Sequence, residues 1–219
     1  MASSNSFNVK LTGKGAHAGQ PHQSIDPVMA AVHLVQAWQT ILSRNVDPNT
    51  AAVLSVTQIN AGTTDNIIPD YATLSGTVRT FDPDTLDLIE NRMLALTESV
   101  AAAFTVDAEF HFNRLYPALI NHDRETQIAV KAMLATVGNG RVQADVDRSF
   151  TSEDFSFFLQ HKPGCYAFLG NGVLRTDCPS DLPTSHQLHS PFYDFNDDII
   201  STGISYWISL VKESLPRQA

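Results

Sequence analysis

Residues 7–27 read FNVKLTGKGAHAGQPHQSIDP, and the rest of the chain is organised around them. Phe7, Val9 and Leu11 alternate with Asn8, Lys10 and Thr12, the period-2 signature of a half-buried strand. Gly13-Lys14-Gly15 is a turn at which the backbone comes close to a neighbour. His17 and His22 follow, separated by small residues and Pro21. Asp26-Pro27 starts a helix: an aspartate N-cap, then a proline whose fixed φ suits the first turn. A strand that runs into glycines and then presents histidines on a loop holds a site out toward a partner.

The pattern continues outward from there. Val28, Ala31, Val32, Val35, Trp38 and Leu42 recur at helical spacing and predict an amphipathic helix over 26–42, ending before Asp47-Pro48. Residues 51–59 are rich in valine and threonine and predict a strand. NAGTTDN (60–66) is a turn-rich loop, and 67–81, which contains Arg79, is a second long strand. Asp82-Pro83 opens a helix to about residue 103, with Leu86, Ile89, Met93, Leu96 and Val100 on one face. Residues 106–115 alternate again. The order strand, helix, strand, strand, helix, strand is the split βαβ pattern. The expected fold class is therefore an α+β, ferredoxin-like βαββαβ domain, an antiparallel sheet with two helices on one face.

After Tyr116-Pro117 the composition changes. A helix is expected over 123–137, ended by Gly138-Asn139-Gly140, and another from Ser152, a candidate N-cap with Glu153 and Asp154 in its first turn. Residues 165–169 fit a buried strand, 171–185 a loop, and 194–215 a helix with an acidic start. This half has too few strands to close a sheet. It reads as an incomplete α/β domain.

Composition bounds the function. A formal net charge of -9 with no basic run argues against a nucleic-acid partner. The apolar runs are too short to span a bilayer. Cys165 and Cys178 form neither a disulfide framework nor a metal-knuckle spacing, which points to a reducing, cytoplasmic compartment. The polar residues that stand out are His17, His22, Asn66, Arg79 and His189. Each also has a structural reading. The loop histidines fit solvated positions, Asn66 an Asx turn, Arg79 a partner for an acidic neighbour, and His189 a surface place beside Pro191. No pair has the close spacing of a metal motif such as HExxH.

The segments GKGAHAGQPHQSIDP (13–27), NIIPD (66–70), GTVRTF (76–81), TSEDFSFFL (151–159), PGCYAFLG (163–170) and HSPFYDFNDD (189–198) occur in this order. Together they resemble the amidohydrolase, or hippurate-hydrolase, branch of the dinuclear zinc metallopeptidases. That superfamily includes aminoacylase, glutamate carboxypeptidase, succinyl-diaminopimelate desuccinylase and plant auxin-conjugate hydrolases. The resemblance implies a lid domain that mediates homodimerisation over 7–116 and the C-terminal half of a catalytic domain over 117–219. Residues 1–6 (MASSNS) resemble the linker into the lid, with Met1 an internal position of a longer parent or the start of an excised piece.

The resemblance also implies roles. His17 matches a lid histidine that stabilises the oxyanion in the partner subunit's site, although Gly15-Ala16-His17 stands where Gly-Gly-His is usual. Asn66 matches an asparagine near the substrate, Arg79 an arginine for the substrate's α-carboxylate, and His189 the last metal ligand. His22 is expected to shape its loop, and Glu153 and Asp154 are given no metal role. The parent reaction is hydrolysis of an N-acyl amino acid with zinc or manganese. The remaining metal ligands and the general base belong to a half that this sequence lacks. The expectation is a hydrolase fragment that holds no stable metal and is inactive alone; the alternative is a non-catalytic dimerisation or binding module built on the lid.

Overall fold

The computed structural model describes residues 1–171, 190, 191, 193 and 195–215. They divide into two units: residues 1–120 with 147–161, and residues 121–146 with those from 162 onward. Among the described residues, no helix is long and apolar enough to cross a membrane.

The first unit is built on six elements: β1 (Ser4–Thr12), α1 (Pro27–Arg44), β3 (Ala52–Ala61), β5 (Tyr71–Thr80), α2 (Pro83–Phe104) and β6 (Asp107–Tyr116). Their strands form one four-stranded antiparallel sheet in the order β3-β5-β1-β6. The sequence order βαββαβ and this spatial order are those of a ferredoxin-like sheet. Two short strands, β2 (Ala16–His17) and β4 (Ile67–Ile68), pair separately as a ribbon.

The helix starts follow from two Asp-Pro pairs. The Asp26 carboxylate accepts from the Val28 N–H and that of Asp82 from the Thr85 N–H, each with proline in the first turn. Alternation puts Phe7, Val9 and Leu11 of β1 and Ala72, Leu74 and Val78 of β5 on the face under the helices. Trp38 of α1 is fully buried among them. Its ring stands edge-on to Phe7 at 5.1 Å, and its indole N–H donates to the Met93 carbonyl of α2 at 3.2 Å. Under Phe7 lies Gly76, where an added Cβ would sit 2.5 Å from Phe7 Cζ and 2.0 Å from the Ser55 carbonyl oxygen. Opposite it, β3 is bulged between Val56 and Gln58.

Four sequence expectations need correction. Residues 1–6 are not a linker: Ser4–Ser6 extend β1, and Ala2, Ser3 and Asn5 are buried. Polar residues hid this, because the Ser3 hydroxyl and the Asn5 side-chain N–H groups find partners inside the fold. The Asn5 amide donates to Ser3 Oγ and to the Val78 carbonyl, and the Thr80 N–H donates to Ser3 Oγ. The strand expected over 67–81 is broken into β4 and β5 at Pro69-Asp70. The helix expected from Ser152 begins later, as α4 (Phe155–His161), because Ser149 and Thr151 accept the Ala2 N–H through their carbonyls in irregular backbone. No strand forms over 165–169, since among the described residues none pairs with it.

The second unit contains α3 (Asp123–Val137), closed by Gly138 at φ 76°, and α5 (Ile200–Ser214). The two helices pack on each other, with Lys131 paired to Glu213 and the Thr136 hydroxyl bonded to that of Ser209. His189 and Cys178 lie outside the described residues.

Two substitutions test the core of the first unit. Trp38→Ala should cost about 3–5 kcal/mol, and Gly76→Ala about 1–3 kcal/mol or more through overpacking. Denaturant midpoints followed by circular dichroism measure both. A Gly76→Ala midpoint equal to that of wild type would refute the close approach at Gly76.

Candidate functional site

The glycine turn after β1 folds because small residues let three backbone segments meet. The Gly13 N–H donates to the Asp70 carbonyl at 2.8 Å, and the Gly15 N–H to Asp70 Oδ1 at 2.8 Å. Lys14 bridges to Ile25 in both directions, at 2.9 and 3.0 Å. A Cβ on Gly13 would lie 2.1 Å from the Ile25 carbonyl oxygen, so no other residue fits there without backbone movement. This clamp aims β2 at β4, with Ala16 opposite Ile68 and His17 opposite Ile67.

His17 and Asn66 are brought together by that ribbon. The Ala18 N–H donates to the Asn66 carbonyl at 3.0 Å, and the Asn66 side-chain oxygen accepts from the Thr64 hydroxyl at 2.9 Å. His17 is exposed, yet its ring is held: Nδ1 accepts the Gly19 N–H at 3.0 Å, in a turn closed by the Gln20 N–H on the His17 carbonyl. A neutral imidazole that accepts at Nδ1 carries its proton on Nε2. The exposed edge of His17 is thus a donor, suited to an oxygen that gains negative charge. His22 sits one turn on, exposed in the 3₁₀ segment Pro21–Gln23.

Arg79 is elsewhere. It lies near the other end of β5, on the sheet face away from the helices, roughly 26 Å from the ribbon end at the strand rise of 3.2–3.4 Å per residue. Its guanidinium is half-buried and donates to neutral oxygens: the Thr77 hydroxyl and the Val78 and Asn5 carbonyls. Desolvation by burial lowers its pKa. No carboxylate pairs with it among the described residues, which removes the expectation of an acidic neighbour. By contrast, Arg114 of β6 is fully engaged with Asp87 and Glu90 of α2.

Among the described residues, no group of three or more His, Cys, Asp or Glu is placed to hold a metal. The carbonyls of Glu153 and Asp154 accept the Ser156 and Phe157 N–H groups at the start of α4, as a helix-start reading requires. Sequence reasoning missed two positioning residues, Asp70 and Gly19. The Pro69-Asp70 turn signal was the available hint for the first; nothing in the pattern marks the second.

Residues 2–105 match the peptidase dimerisation domain of the M20 family. The chain is 38% identical over 204 residues to the N-acetyl-L-cysteine deacetylase of Bacillus subtilis, covering 91% of this chain and 45% of that protein. It is 34% identical over 215 residues to the hippurate hydrolase of Campylobacter jejuni, covering 98% of this chain and 53% of that one. Among solved structures, a Bacillus subtilis protein described as a dinuclear metal binding peptidase superposes with a TM-score of 0.73 at 26% identity. It covers 98% of this chain and 52% of its own. Over most of its length the chain is thus similar to M20 amidohydrolases, with residues 2–105 matching their dimerisation domain, and it spans about half the length of the curated relatives it matches.

Proposed function

We propose that this chain is the lid and C-terminal part of a metal-dependent amidohydrolase that cleaves the amide bond of N-acyl amino acids such as hippurate. Arg79 carries the reading. A half-buried guanidinium without a carboxylate partner among the described residues is a ready receptor for one, and its planar fork binds a carboxylate through two bonds. The α-carboxylate of an N-acyl amino acid supplies that group.

His17 and Asn66 complete the binding chemistry, but not for the same substrate molecule. The roughly 26 Å along β5 is far longer than an N-acyl amino acid. In a homodimer, each site takes Arg79 from its own chain and His17 with Asn66 from the partner. The Nε2–H of His17 donates to the carbonyl oxygen as it becomes an oxyanion, a contact that strengthens in the transition state. Bound zinc or manganese would activate water and polarise the carbonyl. Its remaining ligands and the general base lie outside this chain, and His189 is its one candidate ligand here.

The dimer surface follows from what α1 and β3 leave uncovered. His33 of α1 lies against Phe104 of α2, and on the opposite flank Val32 is exposed. β3 is an edge strand with Ile59 more than half exposed. Together they offer strand pairing and an apolar strip to a second copy.

Three outcomes are expected. The purified chain with added zinc or manganese hydrolyses no hippurate; robust metal-dependent cleavage would refute the assignment of the missing groups. Sedimentation equilibrium gives a dimer, and Val32→Asp with Ile59→Lys gives a folded monomer; a wild-type monomer at high concentration refutes lid pairing. In an enzyme completed with the metal-bearing part, Arg79→Ala raises KM roughly ten- to a hundredfold, and His17→Ala lowers kcat roughly a hundred- to a thousandfold. Mixing the two impaired variants recovers activity through hybrid dimers, in which one site has both residues intact. No recovery would place both residues in one site.

A further inference from the structure

Two arginines of the same sheet are bonded through different edges. Arg114 of β6 turns Nε–H and Nη2–H to carboxylates: Nε donates to Glu90 at 2.8 Å, and Nη2 to Glu90 and Asp87. Arg79 of β5 is held by its remaining nitrogen instead. Its Nη1 donates to the Thr77 hydroxyl, to the Val78 carbonyl at 3.2 Å and to the Asn5 carbonyl at 3.5 Å. Its Nε–H and Nη2–H have no partner among the described residues. Those groups form the side-on fork of a guanidinium, two parallel donors that match the oxygens of one carboxylate. Arg114 shows that fork closed on an acid, and Arg79 shows it open.

Thr77 holds the other edge. It lies two residues before Arg79 on β5, so both side chains leave the same face of the sheet, the one away from the helices. The Thr77 hydroxyl is bonded in both directions: its oxygen accepts from Arg79 Nη1, and its proton goes to the Asn5 carbonyl of β1 at 2.8 Å. With that proton committed to Asn5, the oxygen meets the guanidinium as an acceptor, and a guanidinium has only donors to offer it. The Asn5 carbonyl receives both side chains. It lies where the pairing of β1 with β6 shifts register, between Ser4 and Asn5, and irregularities of this kind re-aim groups beside functional sites. Threonine is also an ordinary strand residue, but strand propensity asks only for its β-branched shape, which valine shares. The two bonds of the hydroxyl go beyond that requirement.

We propose that Thr77 is a positioning residue: its hydroxyl clamps Nη1 of Arg79 and so presents the open Nε–Nη2 edge to the α-carboxylate of the substrate. The assignment rests on the reading of Arg79 as the carboxylate receptor and deepens it by naming the group that aims the fork. A free arginine side chain samples many rotamers. Holding it in one before the substrate arrives removes that ordering cost from binding. Burial disfavours the charge of Arg79, and a carboxylate on the open edge offsets what burial takes away.

The clamp and its use are read separately. In this chain alone, labelled with the heavy nitrogen isotope, NMR follows the Arg79 guanidinium. Rotation about Nε–Cζ averages the two Nη signals of a free side chain, whereas a clamped one keeps them apart. Wild type should show separate Nη1 and Nη2 signals, Thr77→Val should merge them, and Thr77→Ser, which keeps the hydroxyl, should separate them again. Circular dichroism confirms that each variant is folded. In an enzyme completed with the metal-bearing part, Thr77→Val should raise KM for hippurate roughly three- to tenfold with kcat unchanged, and Thr77→Ser should recover most of the loss. In an Arg79→Ala background, Thr77→Val should raise KM no further, because the two residues act as one unit. Signals that stay separate in Thr77→Val would overturn the clamp. An unmoved KM in Thr77→Val, or a further rise in the Arg79→Ala background, would overturn its part in aiming the fork. If Arg79→Ala itself leaves KM unchanged, the carboxylate reading of Arg79 fails, and the assignment of Thr77 falls with it whatever the spectra show.

Discussion

The Trp38 indole holds the first unit together because it answers to three elements at once. It sits on Phe7 of β1, donates to the Met93 carbonyl of α2, and is itself part of α1. An indole buried without a partner for its N–H would cost more than it contributes; here packing and hydrogen bond agree. Phe7 can take its place under Trp38 only because Gly76 leaves room in β5 and the bulge in β3 bends away opposite it. The register of β1 on β5, with Phe7 opposite Gly76, follows from that fit. Register in turn sets where the loop after β1 meets the residues before β5, and so where His17 lies.

Most of this fold was legible because its signals are local. The Asp-Pro pairs at 26–27 and 82–83 mark helix starts by a mechanism that acts within three residues. The alternation of β1 and the spacing of α1 are periods that burial enforces. The misses have the opposite character. Residues 3–5 looked like linker because serine and asparagine are polar, and the partners that fix them include the distant Val78 and Thr80. Ser152 had the composition of a helix cap, but the backbone just before it was taken by Ala2. Residues 165–169 had the composition of a strand, and among the described residues no strand pairs with them. Each miss is a tertiary contact, made or missing, overriding a local preference.

The candidate site divides along the same line. That a histidine loop and an asparagine loop meet is readable once β1 and β5 are known to be neighbours, since both loops flank the same end of that pair. The distance from Arg79 to His17 is also implicit in the strand length. What no pattern reveals is the tie that makes the histidine a defined donor. The Gly19 N–H on Nδ1 is a single backbone bond in an exposed turn, and it removes one of the two tautomers from an otherwise mobile ring. Asp70 does comparable work for the ribbon, with its carbonyl and carboxylate holding Gly13 and Gly15.

The two units therefore differ in what their sequences ask for. The first owns a core: a connected cluster from Phe7 to Val106 in which both helices and the sheet take part. In the second, the fully buried apolar residues among those described are Ala129 and Ala132, both on α3. Two methyl groups remove little surface from water, whereas α5 alone keeps five large side chains in it. A helix whose apolar face is wider than the contact it makes gains most of its stability from whatever covers that face. The first unit is thus held by its own core, whereas the second leaves the apolar stripe of α5 uncovered among the described residues.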